Sequence, residues 1–274
     1  MSERLDAALA ARGLARSRTH AAGLIAEGLV TVDGRPVVKS SAKVEETSLI
    51  EVAAFDHYVS RAAHKLIAAF EAFPIEVGGR VALDMGASTG GFTQVLRERG
   101  ADPVIAVDVG HGQLSERIRG DVGVVSVEGY NVRDMTPESL AAVSGVDRVP
   151  SLVTGDLSFI SLGLVLPAVR VTMDDAGDAV LLIKPQFEVG RTSVRGGLVT
   201  DPASRADAVA SVLWAAWDAG LGTHGVIASP LPGTHGNHEF VAWLRVRDVA
   251  DDGADADAAN PTAWLALVNE LTQR

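Results

Sequence analysis

Cysteine is absent from all 274 residues. Disulfides, thiolate zinc sites and every cysteine-nucleophile mechanism are thereby excluded, including the thiolate attack on a pyrimidine ring that precedes base C5-methylation. No apolar run approaches the roughly 18 residues that a membrane span needs, and the first 25 residues carry charges throughout, so no secretion signal is expected either. A soluble, cytoplasmic protein is the expectation. An excess of positive charge is lacking too: the net charge is −11, which, read globally, disfavours a phosphate-rich partner.

The distribution of charge says otherwise. Residues 1–43 hold Arg4, Arg12, Arg16, Arg18, Arg35, Lys39 and Lys43 against Glu3, Asp6, Glu27 and Asp33, a local balance of +3 that leaves −14 on the rest. A basic end on an acidic body suggests a polyanion-binding module attached to an enzyme, although so modest an excess also arises by chance. With 47% hydrophobic residues, the chain can bury one α/β core of about 200 residues plus a small module.

The first segment reads as helices at Arg4 to Arg12 and Ser17 to Glu27, with Ser17 as a helix cap. A strand from Gly28, a tight turn at Asp33-Gly34 and a strand at Ser48 to Val52 follow. A connector, 53–61, leads to an amphipathic helix, Ala62 to Phe73, that carries His64 and Lys65. Beyond residue 80, strands at 80–85, 103–108, 123–128, 149–155 and 178–184 alternate with helices near 91–99, 113–119, 137–143 and 161–170. Such alternation predicts right-handed βαβ units and a parallel sheet. The loop 185–200 is a lid candidate rather than a packed element. A helix at 203–219 and strands at 222–229 and 238–246 complete the sheet. Asp248 to Asn260 reads as a solvated linker and Thr262 to Gln273 as a terminal helix.

The chemistry concentrates in Val81-Ala-Leu-Asp-Met-Gly-Ala-Ser-Thr-Gly-Gly-Phe92, a strand that empties into a glycine-rich loop and then a helix. Gly86, Gly90 and Gly91 let the backbone approach a ligand, with Ser88, Thr89 and Phe92 in the same cradle. Asp108, 22 residues after Gly86, closes the second strand, where a carboxylate can accept the two ribose hydroxyls of an adenosine. The spacing is G-x-x-x-G-G rather than the dinucleotide G-x-G-x-x-G. Asp84 suits a cationic sulfonium and would repel a pyrophosphate, so S-adenosylmethionine is favoured over NAD. Val109, Asn131 and Asp134 join the candidate cofactor contacts; strand-end capping is the alternative for Asn131 and Asp134.

Ligands of open α/β sheets gather beyond the carboxyl ends of the strands. Asp84, Asp108, Asp156 and Lys184 occupy four such ends. Lys184 follows the apolar run 179–183 and precedes Pro185, so its ammonium emerges at the sheet crest beside Asp156. It is either a snorkelling lysine neutralised by Asp156 or a general base, since a desolvated lysine beside another cation can lose its proton near neutrality. Asp156 lies in Gly155-Asp-Leu-Ser-Phe159, where amino-methylating enzymes carry an Asn/Asp-Pro-Pro-aromatic motif; its absence favours a hydroxyl acceptor. Phe159 and Phe187 fit stacking on a base or ordinary core packing equally well. His235 and His238, with His224, invite a metal reading, but convergent ligands with suitable spacing are lacking and no metal is expected.

Arg4-Leu-Asp, Ser17-Arg-Thr and Gly28-Leu-Val-Thr-Val-Asp-Gly34 resemble an S4 RNA-binding domain. The whole chain is similar to the TlyA family of ribosomal RNA cytidine 2′-O-methyltransferases, often labelled haemolysins. The likeness runs through Val59-Ser-Arg-Ala-Ala-His-Lys-Leu66, the 84–92 loop, Asp108-Val-Gly-His-Gly-Gln-Leu114, Asp156-Leu-Ser-Phe-Ile-Ser-Leu162, Lys184-Pro-Gln-Phe-Glu-Val-Gly190 and Ser229-Pro-Leu-Pro-Gly233.

The resemblance implies an α/β fold: a Rossmann-like class I methyltransferase with a mostly parallel seven-stranded sheet over 61–274, preceded by a small α+β S4 domain and connector over 1–60. It implies a catalytic tetrad of Lys65, Asp156, Lys184 and Glu239, with S-adenosylmethionine as cofactor. It also implies Arg4, Arg16, Ser17, Arg18 and Lys39 as RNA contacts, and ribosomal RNA within the subunits as partner; a monomer is the default expectation. The terminal helix and complete S4 segment resemble the longer members that act on both subunits. Two features depart from the family pattern: Phe55-Asp-His-Tyr-Val59 lacks the Arg-x-Trp-Val form of some relatives, and His235-Gly-Asn-His238 is unusually rich in histidine. The competing readings are a membrane-active haemolysin and an RNA-binding protein with an inactive methyltransferase domain.

Overall fold

The computed structural model describes residues 2–15, 17–26, 28–52, 57–190, 196–233, 236–247 and 254–273, and the chain forms two compact units, 1–61 and 62–274. In the first, strand β1 (Glu3–Arg4) runs straight into helix α1 (Leu5–Ala11), and α2 (Arg18–Ala26) follows. Ser17 Oγ accepts the His20 amide at 3.1 Å and so caps α2. Strands β2 (Val30–Val32) and β3 (Arg35–Pro36) are joined by Asp33 and Gly34 alone. Both have positive φ, 51° and 75°, as a two-residue hairpin turn requires. Strand β4 (Lys43–Val44) pairs with β1, and β5 (Ile50–Val52) pairs with β2. The β1–β4 pair was not foreseen, because two residues are too few for periodicity to register. Leu5, Leu9, Leu24, Ile25, Val30 and Ile50 fill this small core.

The second unit opens with α3 (Ala63–Ala72), β6 (Ala82–Met85), α4 (Gly91–Glu98), β7 (Val104–Asp108), α5 (Glu116–Arg119), β8 (Val124–Glu128) and α6 (Pro137–Ser144). It continues with β9 (Leu152–Gly155), α7 (Leu166–Thr172), β10 (Asp178–Ile183), α8 (Pro185–Glu188), α9 (Pro202–Asp218), β11 (Leu221–Ala228), β12 (Phe240–Val246), α10 (Ala254–Ala259) and α11 (Pro261–Gln273). One seven-stranded sheet has the order β11-β12-β10-β9-β6-β7-β8. Its pairs are parallel from β10 through to β8, while β12 runs antiparallel to both its neighbours. Strands β6, β9 and β10 are buried along their whole length, as strands covered on both faces of a parallel sheet are, and β10 accordingly reads as a continuous apolar run after Asp178. From β6 the chain adds β7 and β8 on one side, then returns to place β9 and β10 on the other. The reversal falls between β6 and β9, so a crevice opens where Gly86 and Asp156 leave the sheet.

The structure corrects three local expectations. The described parts of the expected lid, 185–190 and 196–200, are packed rather than free: α8 packs on α9, Val199 is buried, and its amide donates to Asn237 Oδ1 at 3.2 Å; 191–195 lie outside the described residues. The Asp- and Ala-rich stretch is not all solvated linker, since 254–259 is helical and Ala259 is buried; alanine's helix preference outweighed the polar composition. The helix expected at 161–170 begins as a 3₁₀ turn, Leu162–Leu164, and becomes α-helical only from Leu166, with Pro167 in its first turn. Among the described residues no helix is long and apolar enough to cross a membrane.

Candidate active site

The crevice is a cavity of about 600 Å³, lined among others by Gly86, Ser88, Asp108, Val109, Asn131 and Asp156. All six come from the sequence-predicted set. Gly86 has φ 76°, and a Cβ there would lie 3.2 Å from the Asp156 carbonyl and 3.1 Å from Leu157, so the two loops at the reversal point meet only because this residue is glycine. Asp108 fixes the cradle: its carboxylate accepts the Ser88 amide and the Gly110 amide, each at 2.8 Å. Asn131 both lines the cavity and caps the turn 132–134, its Oδ1 accepting the Arg133 amide at 3.0 Å. Asp134 is exposed and is not among the lining residues.

Asp84, Thr89, Gly90, Gly91 and Phe92 do not line the cavity. Asp84 is 1% exposed beneath the loop and accepts the Thr93 hydroxyl at 2.6 Å and the Thr154 hydroxyl at 3.2 Å. Complete burial pushes its carboxyl up to about 7, against those two hydrogen bonds and helped by the nearby charge of Asp156. Gly90, at φ 99°, opens α4 where a Cβ would come within 2.9 Å of Leu114. Phe92 is in the core, and the Thr89 carbonyl accepts the Ser115 amide at 3.2 Å. Sequence reasoning missed Val107, Gln113, Tyr130, Val132, Leu157, Ser158 and Ile160, which also line the cavity. Their signal was position, since all sit within a few residues of a strand's carboxyl end.

Beside the cavity the four tetrad candidates come together. Lys184 Nζ lies 2.6 Å from Asp156 Oδ1, Lys65 Nζ lies 3.6 Å from Asp156 Oδ2, and Lys65 donates to Glu239 Oε2 at 2.6 Å. Lys65, Lys184 and Glu239 are 5%, 8% and 3% exposed, so two cations and two anions share a desolvated, charge-balanced cluster. Burial alone would raise the Asp156 carboxyl; the ammonium groups of Lys65 and Lys184 more than offset it and hold the carboxyl below its ordinary range. Each member comes from a different element: Lys65 from α3, Asp156 after β9, Lys184 after β10 and Glu239 just before β12. Gly233 makes room for the last, because a Cβ there would collide with Glu239 Oε1.

Two loops frame the cluster. Lys184 also donates to Ser158 Oγ at 2.9 Å. Glu188, one turn beyond Lys184, accepts the Ser161 hydroxyl at 2.6 Å and the Leu162 amide at 2.9 Å, stapling the loop after β10 to the loop after β9; burial raises its carboxyl. Phe159 has φ 65°, a conformation that costs a non-glycine residue about 1–3 kcal/mol. Its ring is 91% exposed and lies 5.3 Å from that of Phe187, which excludes core packing for Phe159. His224 packs against Trp243 with ring centroids 5.4 Å apart. Burial, with Arg205 nearby, lowers the His238 imidazole. His235 lies outside the described residues, among which no group of three or more potential ligands could hold a metal.

In the first unit, Arg4 and Arg18 converge on one buried carboxylate. Asp6 accepts from Arg4 twice at 3.0 Å and from Arg18 at 3.1 Å, and the Arg4 hydrogen bond is the main reason its carboxyl falls far below the usual range. Both arginine side chains stay well exposed, at 44% and 61%. Lys39 is exposed and Ser17 is committed to its cap. Arg16 lies outside the described residues. Arg12, by contrast, donates inward to the Ser48 and Glu45 carbonyls at 2.7 and 2.9 Å.

A seven-stranded sheet of this order, with a glycine cradle and an acidic strand end at the reversal point, defines a Rossmann-like methyltransferase. The FtsJ-like methyltransferase model matches residues 58–246 and the S4 domain model residues 3–50, so the chain is an enzyme that uses S-adenosylmethionine. Over 247 residues it is 50% identical to the 16S/23S rRNA (cytidine-2′-O)-methyltransferase TlyA of Mycobacterium tuberculosis, covering 89% of this chain and 90% of that one. It is 38% identical to Hemolysin A of Brachyspira hyodysenteriae, covering 87% and 98%. A solved structure from Streptococcus thermophilus that carries a hemolysin name superposes with a TM-score of 0.72 at 34% identity, covering 99% and 97% of the two chains. The chain belongs to the TlyA family of FtsJ-like methyltransferases.

Proposed function

We propose that the chain transfers the methyl group of S-adenosylmethionine to the ribose 2′-hydroxyl of a cytidine in ribosomal RNA, with Lys184 as general base. The observation that carries this reading is the buried cluster of Lys65, Asp156, Lys184 and Glu239, whose Asp156 also lines the cavity. The cavity suits the cofactor: its volume lies in the range of small-molecule sites, Asp108 lines it at the end of β7, where a carboxylate can accept ribose hydroxyls, and Gly86 allows close backbone approach. Asn131 would meet the adenine edge. When bound, the cofactor supplies an electrophilic methyl carbon to an oxygen aligned with it. Lys184, as the free amine, takes the 2′-hydroxyl proton onto Nζ, leaving the oxygen nucleophilic. Asp156 holds Lys184, and Glu239 holds Lys65, which steers the ribose.

Residues 1–60 serve as the RNA-reading domain and 61–274 as the methyltransferase domain. Arg4, Ser17, Arg18 and Lys39, together with Arg16, are assigned as contacts to structured RNA, a reading supported by the exposure of Arg4, Arg18 and Lys39 and by the name of the 50%-identical relative. We extend to this chain the 16S and 23S specificity in that relative's name, and so to both ribosomal subunits. Incubation of each subunit with radiolabelled S-adenosylmethionine tests the reading. Wild type labels a cytidine ribose, whereas Lys184→Ala does not, although it binds the cofactor. Vesicle leakage without any methyl transfer would replace this reading with a membrane-active one.

A further inference from the structure

We infer that Ser158 is a positioning residue for Lys184, the second of two anchors that hold its Nζ at the reacting position. This inference rests on the proposed role of Lys184 as general base. A lysine side chain has four rotatable bonds, and a single ion pair fixes only one direction of its terminal nitrogen. Asp156 Oδ1, at 2.6 Å, supplies that direction, but Asp156 also faces Lys65 through its other oxygen. Held by Asp156 alone, Nζ is drawn toward the carboxylate core of the cluster. Ser158 Oγ, at 2.9 Å, supplies a second direction, and Ser158 lines the cavity whereas Lys184 does not. The serine therefore draws the nitrogen to the cavity side.

The hydroxyl suits both protonation states. It accepts from the ammonium, and after deprotonation it can donate to the amine lone pair. Asp156, an acceptor when ionised, favours only the ammonium. The backbone around Ser158 is built to keep it there. Phe159, the next residue, holds φ at 65°, turning its own ring outward, 91% exposed. Glu188 closes the loop from below through Ser161 and Leu162. A left-handed non-glycine residue beside a polar contact to the reacting lysine marks a loop whose shape is set by function rather than by local preference.

The test is steady-state kinetics on ribosomal subunits with Ser158→Ala, Ser158→Thr and Lys184→Ala, together with cofactor affinity measured by calorimetry. A displacement of about 1 Å at a reacting group lowers the rate on the order of a hundredfold. Ser158→Ala is expected to lower kcat by ~10- to 100-fold, with KM for RNA and cofactor affinity unchanged, and Ser158→Thr is expected to restore most of kcat. Wild-type kcat in Ser158→Ala alongside an inactive Lys184→Ala overturns this inference and leaves the function intact. Equal losses in Ser158→Ala and Ser158→Thr with weakened cofactor binding overturn it as well, making Ser158 a cofactor contact. An active Lys184→Ala removes the proposed function and this inference with it.

Discussion

The two ends of β10 carry the same electrostatic arrangement with different cations. At its start, Asp178 receives Arg80 at 2.6 Å, the Trp243 indole N–H at 2.8 Å and Arg245 at 3.4 Å. Just beyond its other end, Lys184 and Lys65 share Asp156. Arg80 spends its remaining donors on the Ser151 carbonyl, the Ser151 hydroxyl and the Glu76 carbonyl, tying α3's exit to β9 and β10. Guanidinium cannot give up a proton in a protein, so that cluster can only hold the sheet together. The crest uses lysines, whose ammonium groups can exchange protons, and places them beside a cavity. A buried carboxylate shared by cations is therefore not a mark of catalysis by itself; the identity of the cation and the presence of space beside it decide.

The sharpest way to break the contrast is to give the crest the cation of the base. Lys184→Arg keeps a positive charge near Asp156 yet cannot act as a base, so methyl transfer should fall by about 10²–10⁴-fold, as in Lys184→Ala; near-normal turnover by the arginine variant would show that no proton is taken there. A second comparison sets Asp156 against Asp84, which has hydroxyls but no cation. Its carboxyl is raised to about 7 from 3.8, so ionisation favours the unfolded chain increasingly from about pH 4 to pH 7. Asp84→Asn should therefore stabilise the protein progressively over that window and level off above it, by about 4 kcal/mol at most; thermal melts from pH 4 to 9 check the slope. At the base, Asp178→Ala leaves Arg80 without its carboxylate and should cost on the order of 3 kcal/mol of stability, with kcat of the folded enzyme unchanged. A large kcat loss at matched folding would dissolve the distinction between the two ends. The smallest effect is expected for Gly233→Ala, which crowds Glu239: roughly 1–3 kcal/mol in denaturant melts, with a modest fall in kcat.

Much of this was legible in the chain. The continuous apolar runs of β7 and β10 and the glycines after β6 follow from local chemistry, and they specify a parallel sheet with a cradle at its crest. Asp33-Gly34 announced its hairpin for the same reason. What periodicity could not show were interactions of long reach. Lys65 and Glu239 are separated by 174 positions, and only likeness to a family drew them together before the fold did. Asp84, read as facing a cofactor, turned out to be buried against Thr93 and Thr154, because alternation along a strand tells which face a side chain takes only when one face is solvent. Ser158 and Glu188 went unweighted for a similar reason: a hydroxyl or a carboxylate in a loop has no signature until its partner is in place.

The sequence by itself determined the sheet's elements, the parallel connection of β6 to β10 and the glycine loop at the first strand's end, since these depend on neighbours a few residues apart. Only the tertiary structure decided which charges are desolvated together, which carboxylate meets ammonium and which meets hydroxyl, and which loops are stapled. Those outcomes depend on distances of a few ångströms between residues far apart in the chain, and desolvation makes their energies large only once the sheet has closed around them.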